Sequence, residues 1–261
     1  MTAPDARRAA ARMSGERVVE STRTCVVELP SGALSLPVLR VEPPAPRATV
    51  ILAPGAGAGA AHPFMAAMAA AIADFGMTTV RFDFPYRVLG RRMPGPASHS
   101  ILAWAAVFED ARLESGTAPI VAMGKSYGGR MASMAAVEDM IDPDALVYLG
   151  YPLHPPGRPE KERAAHLPRI TVPQLFVSGR RDPFILPAER WDVIVGTCPA
   201  ASIAWMEGAG HSFERSKDRR TVADVAASVL AEARDFLDDV VSSQRDTPGG
   251  EARFARPPDP A

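Results

Sequence analysis

A chain of 261 residues with 47% hydrophobic and 23% charged residues can bury a large core and is too apolar for global disorder. Its formal net charge of −1 gives no electrostatic reason to expect nucleic acid or an anionic membrane as a partner. Two cysteines, Cys25 and Cys198, do not make a disulfide framework, and His62, His99, His154, His166 and His211 are too scattered for metal-ligand spacing, so neither metal nor cofactor is expected.

Residues 1–16 are rich in Arg and Ala and lack the continuous apolar core of a signal peptide. They read as a disordered, solvated tail, with a mitochondrial presequence as the alternative. The weakly apolar stretch 64–72 is too short to span a bilayer, so a soluble, cytoplasmic setting is expected. Basic residues are nearly all arginine, the lysines being Lys125, Lys161 and Lys217, which reads as compositional bias.

Residues 18–27 and 33–41 alternate in polarity and read as two antiparallel strands turning at Pro30-Ser31-Gly32. The stiff connector Pro43-Pro44-Ala45-Pro46 follows. Beyond it, short apolar runs alternate with helical stretches, the pattern of a parallel sheet. The runs cover 48–53, 77–82, 119–123, 145–149, 173–177 and 202–206, and the helices 63–74, 100–113, 127–140, 187–195 and 221–237. In the last helix Val222, Val225, Ala226, Val229, Leu230, Ala233 and Leu237 share one face. The expectation is one three-layer α/β domain over 17–241, a mostly parallel sheet of about eight strands with helices on both faces, and a disordered tail over 242–261.

The strand at 119–123 runs into Gly124-Lys125-Ser126-Tyr127-Gly128, a G-x-S-x-G motif, and Gly129-Arg130-Met131 opens the next helix. A sharp strand-to-helix turn lifts the serine oxygen above the sheet, and glycines remove the side chains that would collide in it. The helix N-terminus behind the serine favours developing negative charge. The bare motif is weak and could be a Gly-rich structural turn; its context between strand and helix makes Ser126 a candidate nucleophile.

Partners in the order serine, acid, histidine are then sought. The strand at 173–177 leads to Asp182, 182 − 126 = 56 residues on, and the strand at 202–206 leads to His211, 211 − 182 = 29 residues later. Each candidate lies beyond the carboxyl end of a parallel strand, where α/β sheets place ligands. His211 would take the serine proton, and Asp182 would fix its tautomer and stabilise the imidazolium. Blander readings stand beside these: His211 as a loop filler and Asp182 as a turn residue before Pro183. Asp83 also ends a strand and is the rival acid, with Glu207 weaker.

Acyl chemistry needs two backbone donors for an oxyanion. The amide of Tyr127 is one candidate, and the amide of Ala56, with Gly57 next, is the other, from the loop Pro54-Gly55-Ala56-Gly57-Ala58-Gly59. That loop, with Asp83 at the following strand end, also admits a dinucleotide reading, which leaves Ser126, Asp182 and His211 unexplained.

On these residues the chain resembles the α/β-hydrolase superfamily. It resembles more narrowly the α/β-hydrolase-like family that includes a testis-expressed protein and a subunit of a chromatin-acetylation (NSL) complex. The segments that carry the likeness are Ala53-Pro54-Gly55-Ala56-Gly57, Arg81-Phe82-Asp83-Phe84, Gly124-Lys125-Ser126-Tyr127-Gly128-Gly129-Arg130, Gly150-Tyr151-Pro152-Leu153-His154, Leu175-Phe176-Val177-Ser178-Gly179 and Trp205-Met206-Glu207-Gly208-Ala209-Gly210-His211. The resemblance implies the hydrolase fold and the triad, and no particular substrate. Dienelactone hydrolases are similar too, but they carry cysteine at the elbow where this chain has Ser126.

The function expected is therefore a cofactor-independent serine hydrolase acting on an ester, thioester or related acyl bond of a small-molecule substrate. The rivals are acyl transfer to an acceptor other than water and a scaffold that keeps the fold without the chemistry. Residues 151–170 hold Pro152, Pro155, Pro156, Pro159 and Pro168 and leave room for at most a short helix over 160–166, too charged for a lipid-engaging lid. Short-chain, soluble esters are expected as substrates. Arg87, Arg91 and Arg92 overhang the site or sit in a solvated loop, the second reading being preferred.

Overall fold

The structure, a computed structural model, describes residues 18–217 and 219–245. Strands β1 (Val19–Leu29) and β2 (Gly32–Glu42) form an antiparallel hairpin. Along β1 the alternation sends Cys25, Val27 and Leu29 inward and leaves Val26 exposed. The parallel strands β3 (Thr49–Ala53), β4 (Thr78–Phe82), β5 (Ile120–Lys125), β6 (Ala145–Leu149), β7 (Gln174–Gly179) and β8 (Ala201–Met206) complete one eight-stranded sheet in the order β1-β2-β4-β3-β5-β6-β7-β8. The mostly parallel α/β architecture read from the sequence is the one observed.

The central strands are mostly apolar because they face two cores, and period two divides their side chains between them. Ile51, Ala122, Leu146 and Tyr148 point into a core with Phe82, Trp104, Phe176 and Trp191. Leu52, Val121, Val147 and Val177 point into the other, with Met65, Leu230 and Leu237. Helices α1 (Pro63–Asp74) and α6 (Val222–Arg245) cover the second core. The first core is covered by α3 (Ala97–Ser115), α4 (Tyr127–Val137) and α5 (Ala188–Val195). The one-turn helix α2 (Pro85–Val88) precedes α3, and Pro85 at its first turn presets the helical φ there.

Local chemistry starts these helices where they start. His62 caps α1 through Nδ1, which accepts the Phe64 amide at 3.2 Å. Ahead of α6, Thr221 Oγ1 accepts the Asp224 amide at 3.1 Å while the Asp224 carboxylate accepts the Thr221 amide at 2.9 Å, a reciprocal cap. The buried face of α6 ends at Val240 and Val241, and the helix itself runs on to Arg245, past residue 241 where the sequence suggested the domain would end. The expected N-terminal tail, 1–16, and residues 246–261 of the expected C-terminal tail lie outside the described residues.

Residues 160–166, where at most a short helix was expected, are irregular, and the regular element in that loop is a short 3-10 turn at Leu167–Arg169. Amides that an α-helix would need are drawn elsewhere: Lys161 donates to the Arg158 carbonyl at 3.0 Å and Arg163 reaches back to Leu153 at 2.7 Å. Among the described residues no helix is long and apolar enough to cross a membrane.

Candidate active site

The chain reverses its direction of sheet growth at β3: β4 is laid on one side of it and β5 on the other. That switch point leaves a crevice at the carboxyl ends of β3 and β5, where Ala53 pairs with Gly124. The turn from β5 into α4 occupies it. Ser126 has φ 49° and ψ −112°, a conformation that costs a non-glycine residue about 1–3 kcal/mol. Neighbours hold it there: the Ser126 amide donates to the Leu149 carbonyl at 3.0 Å, and the Arg130 amide to the Ser126 carbonyl at 3.1 Å.

The glycines around Ser126 are required by contact. A Cβ on Gly128 would lie 2.6 Å from the carbonyl oxygens of Ala53 and Pro54, and one on Gly129 would lie 2.7 Å from the Gly124 carbonyl. One on Gly124 would fall on the Gly129 amide. The Trp104 indole, fully buried, donates to the Gly128 carbonyl at 3.1 Å and braces the turn from behind.

The other two candidates come to the same place. His211 Nε2 lies 2.9 Å from Ser126 Oγ, and His211 Nδ1 lies 2.7 Å from Asp182 Oδ2. The Asp182 side chain is fully buried, and its other oxygen accepts the Phe184 amide at 2.8 Å. The Phe184 ring, its centroid 4.2 Å from that of the imidazole, limits how His211 can turn. Asp83 does something else: its Oδ1 accepts the Ala60 amide at 2.6 Å and shapes the Gly-rich loop after β3. The carboxylate that a dinucleotide reading would assign to a ribose is thus spent within the protein. Glu207 pairs with Arg180 at 2.9 Å.

Ser126, Tyr127, His211 and Ala56 line a cavity of about 730 Å³. The Gly57 amide donates to the Tyr86 hydroxyl at 3.1 Å, which leaves Ala56 as the better placed of the two loop amides proposed as donors. Arg87, Arg91 and Arg92 are exposed and lie outside the cavity lining. Among the described residues no three His, Cys, Asp or Glu side chains form a group that could hold a metal ion.

Three further residues were missed in the sequence. Lys125, inside the motif, sends its ammonium to the His211 carbonyl at 2.9 Å, with the Phe213 ring centroid 5.6 Å away. Burial pushes its pKa down to about 8, and the charges of Asp182 and Glu214 keep it from falling further. A lysine at the elbow of so arginine-rich a chain was the available signal. Arg130 and Arg163 also line the cavity, Arg163 from the loop after β6, and nothing local in the sequence marked it. His154 and His166 are occupied elsewhere: His154 bonds the Pro155 and Leu186 carbonyls, each at 2.9 Å, and His166 bonds Ser133 at 2.7 Å.

Comparison with known proteins bears on the fold and the family. Part of the chain, 118 residues, is 31% identical to a carboxymethylenebutenolidase of Pseudomonas putida, over 44% of this chain and 46% of that protein. The match thus spans under half the length of that curated relative. Among solved structures, a dienelactone hydrolase from Anabaena variabilis superposes with a TM-score of 0.64 at 17% identity, covering 84% of this chain and 98% of the other. An α/β serine hydrolase without a lid from Xanthomonas campestris gives 0.62 at 20% identity, covering 83% and 95%. At such identities the superpositions speak for the fold. The α/β hydrolase domain model matches residues 46–238, most of the chain, and the protein therefore belongs to the α/β hydrolase family.

Proposed function

We propose that this protein is a serine hydrolase that cleaves an ester, thioester or related acyl bond of a small, soluble substrate through an acyl-enzyme on Ser126. The observation that carries the reading is the hydrogen-bonded run from Ser126 Oγ through His211 to Asp182, at 2.9 and 2.7 Å, on the wall of a cavity large enough for a substrate. In this mechanism Ser126 Oγ attacks the acyl carbon while His211 Nε2 takes its proton. Asp182 holds the proton on Nδ1 and offsets the charge of the imidazolium. The amides of Tyr127 and Ala56 receive the oxyanion. His211 returns the proton to the leaving group, and the same imidazole then activates the water that releases the acyl group.

Relatives named as hydrolases support an acyl bond as the target, and a cytoplasmic setting is part of the same reading. The narrower kinship with the family of the testis-expressed protein and the NSL-complex subunit is also inferred, from Tyr151-Pro152-Leu153-His154 and Phe176-Val177-Ser178-Gly179. A fluorophosphonate probe is expected to label the wild-type protein, with labelling abolished in Ser126→Ala and strongly reduced in His211→Ala. Absence of labelling in folded wild type would sink the proposal in favour of a scaffold. A graded ester panel is expected to peak at short chains, without a jump on substrate aggregation.

A further inference from the structure

The charged side chains that line the cavity beside Ser126 are Lys125, Arg130, Arg163, Arg220 and Glu214, four basic and one acidic. Three of them are engaged with the segment that carries His211. Lys125 donates to the His211 carbonyl at 2.9 Å, Glu214 accepts the Ser212 amide at 2.8 Å, and Arg220 donates to the Phe213 carbonyl at 2.9 Å. Arg130 and Arg163 differ. Among the described residues neither forms an ion pair with a carboxylate.

Both arginines are positioned by the fold. Arg130 follows Ser126 by one turn of α4, so it shares the nucleophile's side of the helix, and its Nε is buried without a hydrogen-bond partner. Arg163 comes from the loop after β6 with its backbone fixed at both ends: its amide donates to the Leu153 carbonyl at 2.7 Å, and its carbonyl accepts the Tyr151 hydroxyl at 2.9 Å. The acid next to it in the chain, Glu162, is turned away, with its two oxygens bonded to Arg190 at 2.7 and 2.9 Å. His166, close to Arg130, stays neutral, its pKa pushed to about 4 by burial and then by the charges of Arg130 and Arg169. Partial burial and then the charge of Arg130 lower the pKa of Arg163, so the two guanidiniums lie within reach of one another's charge. Such a pair is repulsive by itself, and a planar, bidentate oxyanion fits two guanidinium forks.

We propose that Arg130 and Arg163 form an anion subsite within the Ser126 cavity that takes a carboxylate carried by the substrate. This rests on the hydrolase reading and narrows it: the substrate is a short acyl compound that also bears a free carboxylate, with phosphate as the other oxyanion the same forks accept. The loop after β6, too charged for a lipid-engaging lid, lends a positive charge to the site.

The test compares p-nitrophenyl hemiglutarate with p-nitrophenyl valerate, esters of matched length that differ in charge. Wild type is expected to prefer the anionic ester by about tenfold or more in kcat/KM, mostly through KM, the worth of one charge-assisted hydrogen bond. The ratio is expected to fall towards one in Arg130→Gln/Arg163→Gln and to persist in Arg91→Gln/Arg92→Gln. Arg163→Gln alone, at an exposed side chain, guards against misfolding of the double variant. A second arm does not depend on turnover: calorimetric titration of the Ser126→Ala protein with glutarate and, separately, with inorganic phosphate. Saturable binding of either anion that is lost with the two arginines upholds the subsite even if no ester is cleaved, in which case the hydrolase reading alone fails. Phosphate binding without glutarate binding overturns the carboxylate assignment. No binding of either anion, or a charge preference that survives loss of both arginines, overturns the subsite.

Discussion

Two aspartates leave the sheet in the same way and come to different use. Asp83 follows β4 and Asp182 follows β7, each just beyond a fully buried strand. Asp83 gives its Oδ1 to the Ala60 amide at 2.6 Å and organises a loop. Asp182 gives one oxygen to the Phe184 amide at 2.8 Å and the other to His211 at 2.7 Å. The difference lies in strand order. β8, which delivers His211, is hydrogen-bonded to β7, with Gly179 opposite Met206, whereas β4 lies on the far side of β3. Of the two, the carboxylate that meets the imidazole is the one whose strand neighbours the strand that carries the histidine.

The sharpest way to break the comparison is to neutralise each carboxylate. Asp182→Asn is expected to keep the fold and to lower kcat on an activated ester by roughly four orders of magnitude, since the histidine then holds the wrong tautomer. Asp83→Asn is expected to act through stability and leave turnover within about tenfold, as a lost hydrogen bond outside the reacting atoms should. Steady-state kinetics beside thermal melts checks this, and the reverse ranking would move the acid to Asp83.

A smaller effect compares the glycines next to the two carboxylates. A Cβ on Gly179 would fall on the Ala209 carbonyl, a backbone atom with nowhere to go. One on Gly59 would meet Asp83 Oδ1 at 2.8 Å, a side-chain atom. Gly179→Ala is therefore expected to cost about 1–3 kcal/mol in any background. The cost of Gly59→Ala is expected to shrink when Asp83→Ala is added, as a double-mutant cycle by chemical denaturation would show. A Gly59→Ala cost left unchanged by Asp83→Ala would mean that the loops differ less than their contacts suggest.

The smallest effect is electrostatic. Lys125 feels the charges of Asp182 and Glu214, not that of Asp83. Its folded pKa of about 8 lies below the ordinary 10.5, so from pH 8 to pH 10.5 the unfolded chain binds more protons than the folded one. Stability measured against Lys125→Met should therefore rise with pH across that window and be flat below it. Removing the Asp182 charge should lower the folded pKa further and start the rise at lower pH; removing the Asp83 charge should leave it in place. Melting temperatures of the paired variants across the window provide the measurement.

Period-two runs, helical faces and Gly-rich turns are local patterns, so the amino-acid order alone determined the alternation of strands and helices, the elbow at Ser126, and Asp182 and His211 as its candidate partners. Patterns set only an upper bound where tertiary hydrogen bonds decide, as at 160–166, where the Arg163 amide goes to Leu153 and no helix forms. Strand order is not a local property, and it alone separates Asp182 from Asp83. Nor does chain order bring Arg163, from the loop after β6, to the cavity that also holds Arg130 from α4, because an arginine in a charged stretch has the same local signature whether it faces solvent or a site. Lys125 lay within the motif itself, but its contact is with the His211 carbonyl, across a sequence separation of 86 residues. Only packing of the β8 loop against the elbow makes that contact, since a buried ammonium must find an oxygen and the fold supplies it from the histidine's own backbone.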